Sequence, residues 1–312
     1  MTAASVMVLC CGFCYEQYCL SRRVHLVQPQ GQLVDIGNRK LHLHVRGTGS
    51  PTIIFESGMG DGAAVWDDVV AGMSQKSTVV TYDRAGYGWS DPNPNADVHS
   101  IVDDLRTALD AQGITGPYLL VGHSIGGLYA RAFYYHNSQE VVGIILVDST
   151  HEDQFDRLPE PIKQRMEFMD AVLPVVRESA RFGIPRLISG KGIHGPSYTS
   201  LDSYCREFEN RVSIGRKMRE MELPFDDLRM SVITAGELWQ VPRDVSANEV
   251  KALWIEMHQE IASRSSDSVH QIVEDSGHHV LGDAPEKIRQ EIEIMVDAIR
   301  SEGKLRDLRA GF

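Results

Sequence analysis

A serine stands between small residues in the run Gly122-His123-Ser124-Ile125-Gly126, which follows an apolar stretch and precedes a helical pattern. Glycines two positions before and two after the serine allow a tight strand-to-helix turn, because no Cβ obstructs the close approach of the backbones. Such a turn exposes the hydroxyl at the edge of a sheet, and the Ile125 N–H at the helix start faces a developing oxyanion. The pattern predicts Ser124 as a nucleophile.

Acyl transfer by a serine also needs a base and an acid that orients this base. His278 follows the last predicted strand and is the predicted base, with His279 as the alternative. For the acid, Asp148 ends the VVGIILV strand, and Glu237 is the alternative after the next strand. The chain order serine, acid, histidine favours these groups over the other histidines. The adjacent His123 is expected to pack away from the hydroxyl.

A second oxyanion donor is predicted in the turn after the strand TIIFE, where the N–H of Met59 follows Gly58. The same loop supports a rival interpretation. Gly58, Gly60 and Ala63 fit the GxGxxA pattern of dinucleotide-binding proteins, and Asp83 ends the next strand about twenty residues on. An NAD-binding oxidoreductase is therefore an alternative, although it leaves the serine and the loop histidine without a role.

The composition disfavours a nucleic-acid partner. The 312 residues carry a formal net charge of −12, and no basic stripe for nucleic-acid phosphates is visible. His42 and His44 share one face of a predicted hairpin, but a metal site needs about three or four ligands and no further one is spaced nearby. No metal site is therefore expected, and the predicted partner is a small acyl substrate; the oligomeric state stays open.

Four of the five cysteines lie in the first twenty residues, so the globular part has no disulfide framework. Residues 1–23 are mostly apolar and end in Arg22 and Arg23, but the run is short for a membrane-spanning helix. We expect a degraded or truncated membrane anchor rather than a cleaved signal peptide. Arginines on its inner flank would keep the catalytic domain on the cytoplasmic side, either free or membrane-associated.

Strands and helices alternate along residues 30–148 and 230–300, which predicts an α/β core with a mainly parallel sheet. Residues 149–229 contain no strand-like run and are predicted to form a helical cap over the site. The apolar side chains expected to line the pocket from the cap are Met166, Phe168, Met169, Phe182 and Tyr198.

Together, the motifs ESGMG, YDRAGYGWSDP, LVGHSIGG, IILVDS and SGHHV resemble those of the α/β-hydrolase fold family, and the likeness covers residues 30–300. The resemblance implies an eight-stranded, mostly parallel sheet with a helical cap after the sixth strand, and a cofactor-free hydrolase, most often of esters. Many members keep the acid after the seventh strand, where this chain has Glu237, while some relatives keep it where Asp148 stands. The serine disfavours the dehalogenases and epoxide hydrolases of this fold, which use aspartate.

The sequence therefore predicts a serine hydrolase that cleaves an acyl bond, an ester above the thioester, amide and carbon–carbon alternatives, in a small apolar substrate. The reaction would pass through an acyl-enzyme. A hydrolase-like receptor or binding module with vestigial turnover is the alternative from a different functional class.

Overall fold

The computed structural model describes residues 3–26, 28–94, 97–221, 224–237 and 241–309. Within these ranges, one sheet of eight strands forms the centre of the molecule. The strands are β1 (Gln32–Asp35), β2 (Lys40–Arg46), β3 (Thr52–Glu56), β4 (Thr78–Asp83), β5 (Tyr118–His123), β6 (Val141–Val147), β7 (Arg229–Ala235) and β8 (Ser268–Val273).

The spatial order of the strands is β1-β2-β4-β3-β5-β6-β7-β8. β1 and β2 form the predicted hairpin, and β2 also runs antiparallel to β4, while the other pairs are parallel. The α/β-hydrolase fold with a mostly parallel eight-stranded sheet is therefore confirmed. β5 lies in the middle of the sheet, so the loop that follows it is surrounded by the ends of other parallel strands.

Both faces of the sheet are buried, which explains the continuous apolar runs in its strands. Along β5, Leu120 packs into the core on one face, and Leu119 and Val121 pack into the core on the other. Helices cover each core. The helices are α1 (Ala3–Leu26), α2 (Asp67–Val70), α3 (Val98–Ala111), α4 (Ile125–His136), α5 (Gln154–Arg157), α6 (Glu160–Ala180), α7 (Ile184–Ser189), α8 (Tyr198–Glu220), α9 (Ala247–Ser263), α10 (Val280–Asp283), α11 (Pro285–Arg300) and α12 (Leu305–Arg309).

The segment predicted as a cap contains α5 to α8, and it follows the sixth strand. Its two long helices, α6 and α8, pack against each other. α8 also contacts α4, the helix that begins directly after Ser124. The inserted helices therefore lie on the side of the sheet where the predicted site residues emerge.

The N-terminal helix α1 docks on this helical insertion. Glu16 and Arg186 are both buried, and the Arg186 guanidinium donates two hydrogen bonds to the Glu16 carboxylate, at 2.6 and 3.0 Å. Gly12 lies against the Phe182 carbonyl, where a Cβ would approach the oxygen to 2.5 Å. α1 is thus held by a specific ion pair and by close backbone packing.

None of the helices in the described ranges is both long and apolar enough to cross a membrane. Met1 and Thr2 of the predicted anchor lie outside the described residues. Membrane association through residues 1–23 stays a prediction.

Replacing Glu16 should test how firmly α1 is attached. Glu16→Gln leaves the Arg186 charge buried without its partner, and breaking such a pair costs about 3–5 kcal/mol. We expect a clearly lower free energy of unfolding in denaturant titrations. Glu178→Gln, which removes half of an exposed ion pair with Arg181, is the matched control and should change it by less than about 1 kcal/mol. Equal stabilities of the two variants would contradict this docking.

Candidate active site

Ser124 occupies a strained turn between β5 and α4. Its φ and ψ are 54° and −127°, values rarely adopted by residues other than glycine. The turn is compact because Gly126 packs on the end of β3: a Cβ there would lie 2.5 Å from the carbonyl oxygens of Glu56 and Ser57. The strand-turn-helix context predicted from the GxSxG pattern is present, and it presents Ser124 at the carboxyl edge of the sheet.

His278 lies between Ser124 and Asp148. Its Nδ1 is 2.6 Å from Asp148 Oδ2, and its Nε2 is 3.1 Å from Ser124 Oγ. Because an ionised carboxylate only accepts hydrogen bonds, Nδ1 carries the proton and the Nε2 lone pair faces the serine hydroxyl. The arrangement can remove a proton from Ser124 during attack on a carbonyl carbon.

The Asp148 carboxylate is buried and receives further hydrogen bonds at its other oxygen. Oδ1 accepts from the Ala235 N–H at 2.9 Å and from the Trp254 indole N–H at 2.8 Å. Burial opposes ionisation, but the hydrogen bond and the charge of His278, together with smaller contributions from His258 and Trp254, lower the pKa of Asp148. Sequence reasoning missed Trp254, since nothing in the pattern of α9 indicates which carboxylate its indole contacts.

The alternative acid Glu237 and the alternative base His279 lie near the site but do not take the positions of Asp148 and His278. The carboxylate bonded to His278 is that of Asp148. Glu237 lines a cavity that also borders Ser124 and His278, and it donates its backbone N–H to the Ser276 carbonyl. His279 lines a second cavity beside Ser124, together with Asp61. Burial raises the pKa of that Asp61 carboxyl, and the charge of His279 opposes the increase.

His123 contacts the loop that carries His278. Its Nε2–H donates to the His278 carbonyl at 2.8 Å, and the two rings lie 4.9 Å apart. The prediction that it packs away from the serine hydroxyl left out this contact. Among the described residues, its buried Nδ1 has no hydrogen-bond partner.

A chain of polar side chains lies behind Asp148. His258 donates from Nε2 to the Ser149 carbonyl at 2.7 Å, and the Thr234 hydroxyl bridges His258 Nδ1 and His270 Nε2 at 2.8 and 2.7 Å. Burial lowers the pKa of both histidines, that of His270 to about 4. Neutral rings with fixed tautomers therefore hold the backbone that follows Asp148.

The two predicted oxyanion donors border the same cavity as the serine. Ile125 is the first residue of α4, where an N–H group has no partner within the helix. Met59 lies in the loop that follows β3, and both Gly58 and Met59 line the wall of this cavity. Both residues thus lie beside Ser124, and the role of their N–H groups as oxyanion donors stays a prediction.

Two cavities meet at Ser124 and His278. One, of about 330 Å³, extends past Met59, and the other, of about 580 Å³, extends past Trp254. Of the five predicted cap residues, Met166 and Met169 line the cavity walls. The other three do not line them: Phe168 is 67% exposed, Phe182 packs near Gly12 of α1, and the Tyr198 hydroxyl accepts a hydrogen bond from Arg181.

Asp83, the acidic residue of the dinucleotide-binding interpretation, binds groups of the protein itself. Both oxygens of the Asp83 carboxylate face inward, accepting from the Ala63 N–H at 2.7 Å and from the Trp89 N–H at 2.9 Å. His42 Nδ1 lies 2.8 Å from the same carboxylate. In a dinucleotide site this acidic group would bind a ribose, but here it holds the loops around it together. The ranges that the structure describes contain no cluster of three or more side chains suited to a metal ion.

Known proteins resemble this chain in sequence and in fold. A model of the alpha/beta hydrolase family matches residues 53–291. An esterase from Thermogutta terrifontis superposes with a TM-score of 0.62 at 19% identity, covering 87% of this chain and 99% of the esterase. This likeness concerns the fold.

Relatives among curated proteins match in part. A probable transporter of Hormonema carpetanum is 36% identical over 136 residues, which is 41% of this chain and 20% of that protein. The uncharacterized protein YbdG of Bacillus subtilis is 28% identical over 151 residues, 47% of this chain and 46% of YbdG. The chain thus spans less than half the length of these relatives.

The buried His123 should make stability depend on pH. Burial, with a smaller contribution from His278, lowers the pKa of His123 to about 3. An unfolded histidine titrates near about 6.5, so on acidification the unfolded state gains a proton that the folded state does not. The free energy of unfolding therefore has its full value, as far as His123 is concerned, above about pH 6.5. It decreases as the pH falls, by about 2 kcal/mol at pH 5.

Urea titrations of the wild type and His123→Gln between pH 7 and pH 5 measure this effect. The variant should show a flatter dependence, by about one proton. His194→Gln, at an exposed position, should keep the slope of the wild type. A His123→Gln slope equal to that of the wild type would show that His123 does not stay neutral in the folded protein.

Proposed function

The chain belongs to the alpha/beta hydrolase family, and we propose that it is a serine hydrolase that cleaves a carboxylic ester through an acyl-enzyme. The observation that carries the proposal is the pair of contacts made by His278, with Ser124 Oγ at Nε2 and with buried Asp148 at Nδ1. A hydroxyl, a base and an orienting acid in that order are the groups that acyl transfer needs.

In this mechanism Ser124 Oγ forms a bond to the acyl carbon while its proton moves to His278 Nε2. The carbonyl oxygen becomes an oxyanion, which the N–H groups of Met59 and Ile125 stabilise. Collapse breaks the bond to the alkoxy oxygen, which leaves as an alcohol with the proton from His278. Water then attacks the acyl-enzyme with His278 again as the base, and this releases the acid and restores Ser124.

The two cavities support a small substrate with apolar parts. An ester has an acyl portion and an alcohol portion on either side of the carbonyl, and cavities of about 330 and 580 Å³ extend to either side of Ser124. Ligand pockets of soluble proteins fall in this range of volumes. The larger cavity is walled by apolar side chains such as Leu158, Ile162 and Val250, which favours a hydrophobic portion on that side.

Ser124→Ala should abolish ester turnover. The change removes the attacking oxygen and little packing, so the fold should persist. Initial rates on short-chain and medium-chain p-nitrophenyl esters, with labelling by a fluorophosphonate probe, measure the effect. Labelling of the variant at the wild-type rate would overturn the nucleophile assignment. Stabilisation of both proteins by a bound ligand without turnover in either would instead favour the receptor alternative.

Asp148→Asn should reduce kcat by about 10⁴-fold with little change in KM, because the acid fixes the tautomer and stabilises the imidazolium of His278. Glu237→Gln is the matched control and should cost less than about tenfold, since its carboxylate is not bonded to His278. Steady-state kinetics on one ester compare the two variants. A crippled Glu237→Gln beside a mild Asp148→Asn would reverse the assignment of the acid.

A further inference from the structure

Arg84 is a buried cation directly beside the loop that carries Met59. Its side chain is 3% exposed, and the guanidinium donates from Nη1 to the Ser57 carbonyl at 2.5 Å and from Nη2 to the Gly58 carbonyl at 2.8 Å. The two carbonyl groups belong to consecutive peptides that follow β3. One side chain therefore contacts two successive peptide planes in this loop, and the Gly58 carbonyl also accepts a longer hydrogen bond from the Asp61 N–H, at 3.3 Å.

The orientation of the second plane decides where the Met59 N–H points. A trans peptide is planar, and its C=O and N–H bonds point in opposite directions. Because the Gly58 carbonyl faces Arg84, the N–H of Met59 in the same peptide faces away from it. Rotating this plane would break the hydrogen bond to Arg84.

Arg84 is held in turn by the cap. Glu207 of α8 lies 3.1 Å from the guanidinium, is itself buried, and accepts hydrogen bonds from the hydroxyls of Tyr87 and Tyr129, each at 2.7 Å. Glu56, at the end of β3, places a second carboxylate 3.9 Å from Arg84. Burial disfavours the charged guanidinium, but the charge of Glu207, with smaller contributions from these neighbours, raises the pKa of Arg84.

We propose that Arg84 is a positioning residue that aims the Met59 N–H at the oxyanion, and that Glu207 makes this aim depend on the seating of the cap. The inference rests on the proposed function, since it concerns the same oxyanion. The cap then has a second role besides lining the substrate cavity. Contact between Glu207 and Arg84 completes the oxyanion site, and separation of α8 from the core disables it.

The two residues can be tested with a pair of conservative variants. Arg84→Lys keeps the positive charge but replaces the planar fork by a single ammonium group, which does not reproduce the paired bonds to both carbonyls. Glu207→Gln keeps the side-chain volume and an acceptor for the tyrosines but removes the charge. The matched control is Glu16→Gln, which neutralises a different buried glutamate, one that pairs with Arg186 of the cap and not with Arg84.

Each protein is assayed on one p-nitrophenyl ester and on the corresponding thionoester, in which sulfur replaces the carbonyl oxygen. Sulfur accepts hydrogen bonds more weakly, so a well-aimed oxyanion site favours the ester, and this preference falls when the aim is lost. Loss of one oxyanion donor costs about 10²–10³ in kcat. We therefore expect a kcat loss of about 30-fold or more in Arg84→Lys and about tenfold in Glu207→Gln, with KM within about threefold.

The ester-to-thionoester ratio should fall in both variants and stay at the wild-type value in Glu16→Gln, even if that control unfolds at a lower temperature. If Arg84→Lys does not fold, the ratio in Glu207→Gln decides. An unchanged ratio in Glu207→Gln, or an equal fall in Glu16→Gln, overturns the inference and leaves the proposed function intact. Absence of ester turnover in the wild type overturns both.

Discussion

The positive φ of Ser124 is the constraint on which the rest of the site depends. A residue other than glycine in this region costs about 1–3 kcal/mol and persists where the surroundings fix it. Here the surroundings are glycines in close contact. A Cβ on Gly122 would lie 2.7 Å from the Gly126 carbonyl oxygen, and one on Gly127 would lie 2.0 Å from Ser149 Oγ. Larger side chains at these positions would push α4 away from the sheet and release the turn.

Strand register then places the other groups around this turn. His123 of β5 pairs with Val147 of β6, so Ser124 and Asp148 are the next residues of two adjacent parallel strands. The Ser124 N–H donates to the Val147 carbonyl at 3.1 Å, and the Asp148 N–H donates to the Ile233 carbonyl of β7 at 2.7 Å. The backbone of the sheet therefore sets the distance that His278 spans.

Much of this arrangement could be predicted from the sequence, because alternating strands and helices bring the ends of parallel strands to one edge. Ser124, Asp148 and the loop of Met59 each follow an apolar run that reads as a strand. The choice between Asp148 and Glu237 could not be made firmly, since both follow strands at this edge and the rotamer of His278 decides.

Contacts between the cap and the rest of the chain were beyond prediction. The pairs Arg84 with Glu207 and Glu16 with Arg186 join residues more than a hundred positions apart, and no local pattern links them. The rotation of each cap helix about its axis decides which side chains face the cavity. Met166 and Met169 do so while Phe168 points to solvent, a difference that hydrophobicity alone does not indicate.

The proposed transfer of an acyl group to Ser124 during turnover can be tested by mass spectrometry of the quenched reaction. The protein is mixed with a p-nitrophenyl ester, stopped in acid within milliseconds to seconds, and digested for peptide mapping. If Ser124 is the nucleophile, the peptide that contains it gains the mass of the acyl group, and this gain decays as free acid accumulates. Turnover of the ester with an acyl group on another residue, or with none on Ser124 at any quench time while p-nitrophenol is released in a burst, would contradict it.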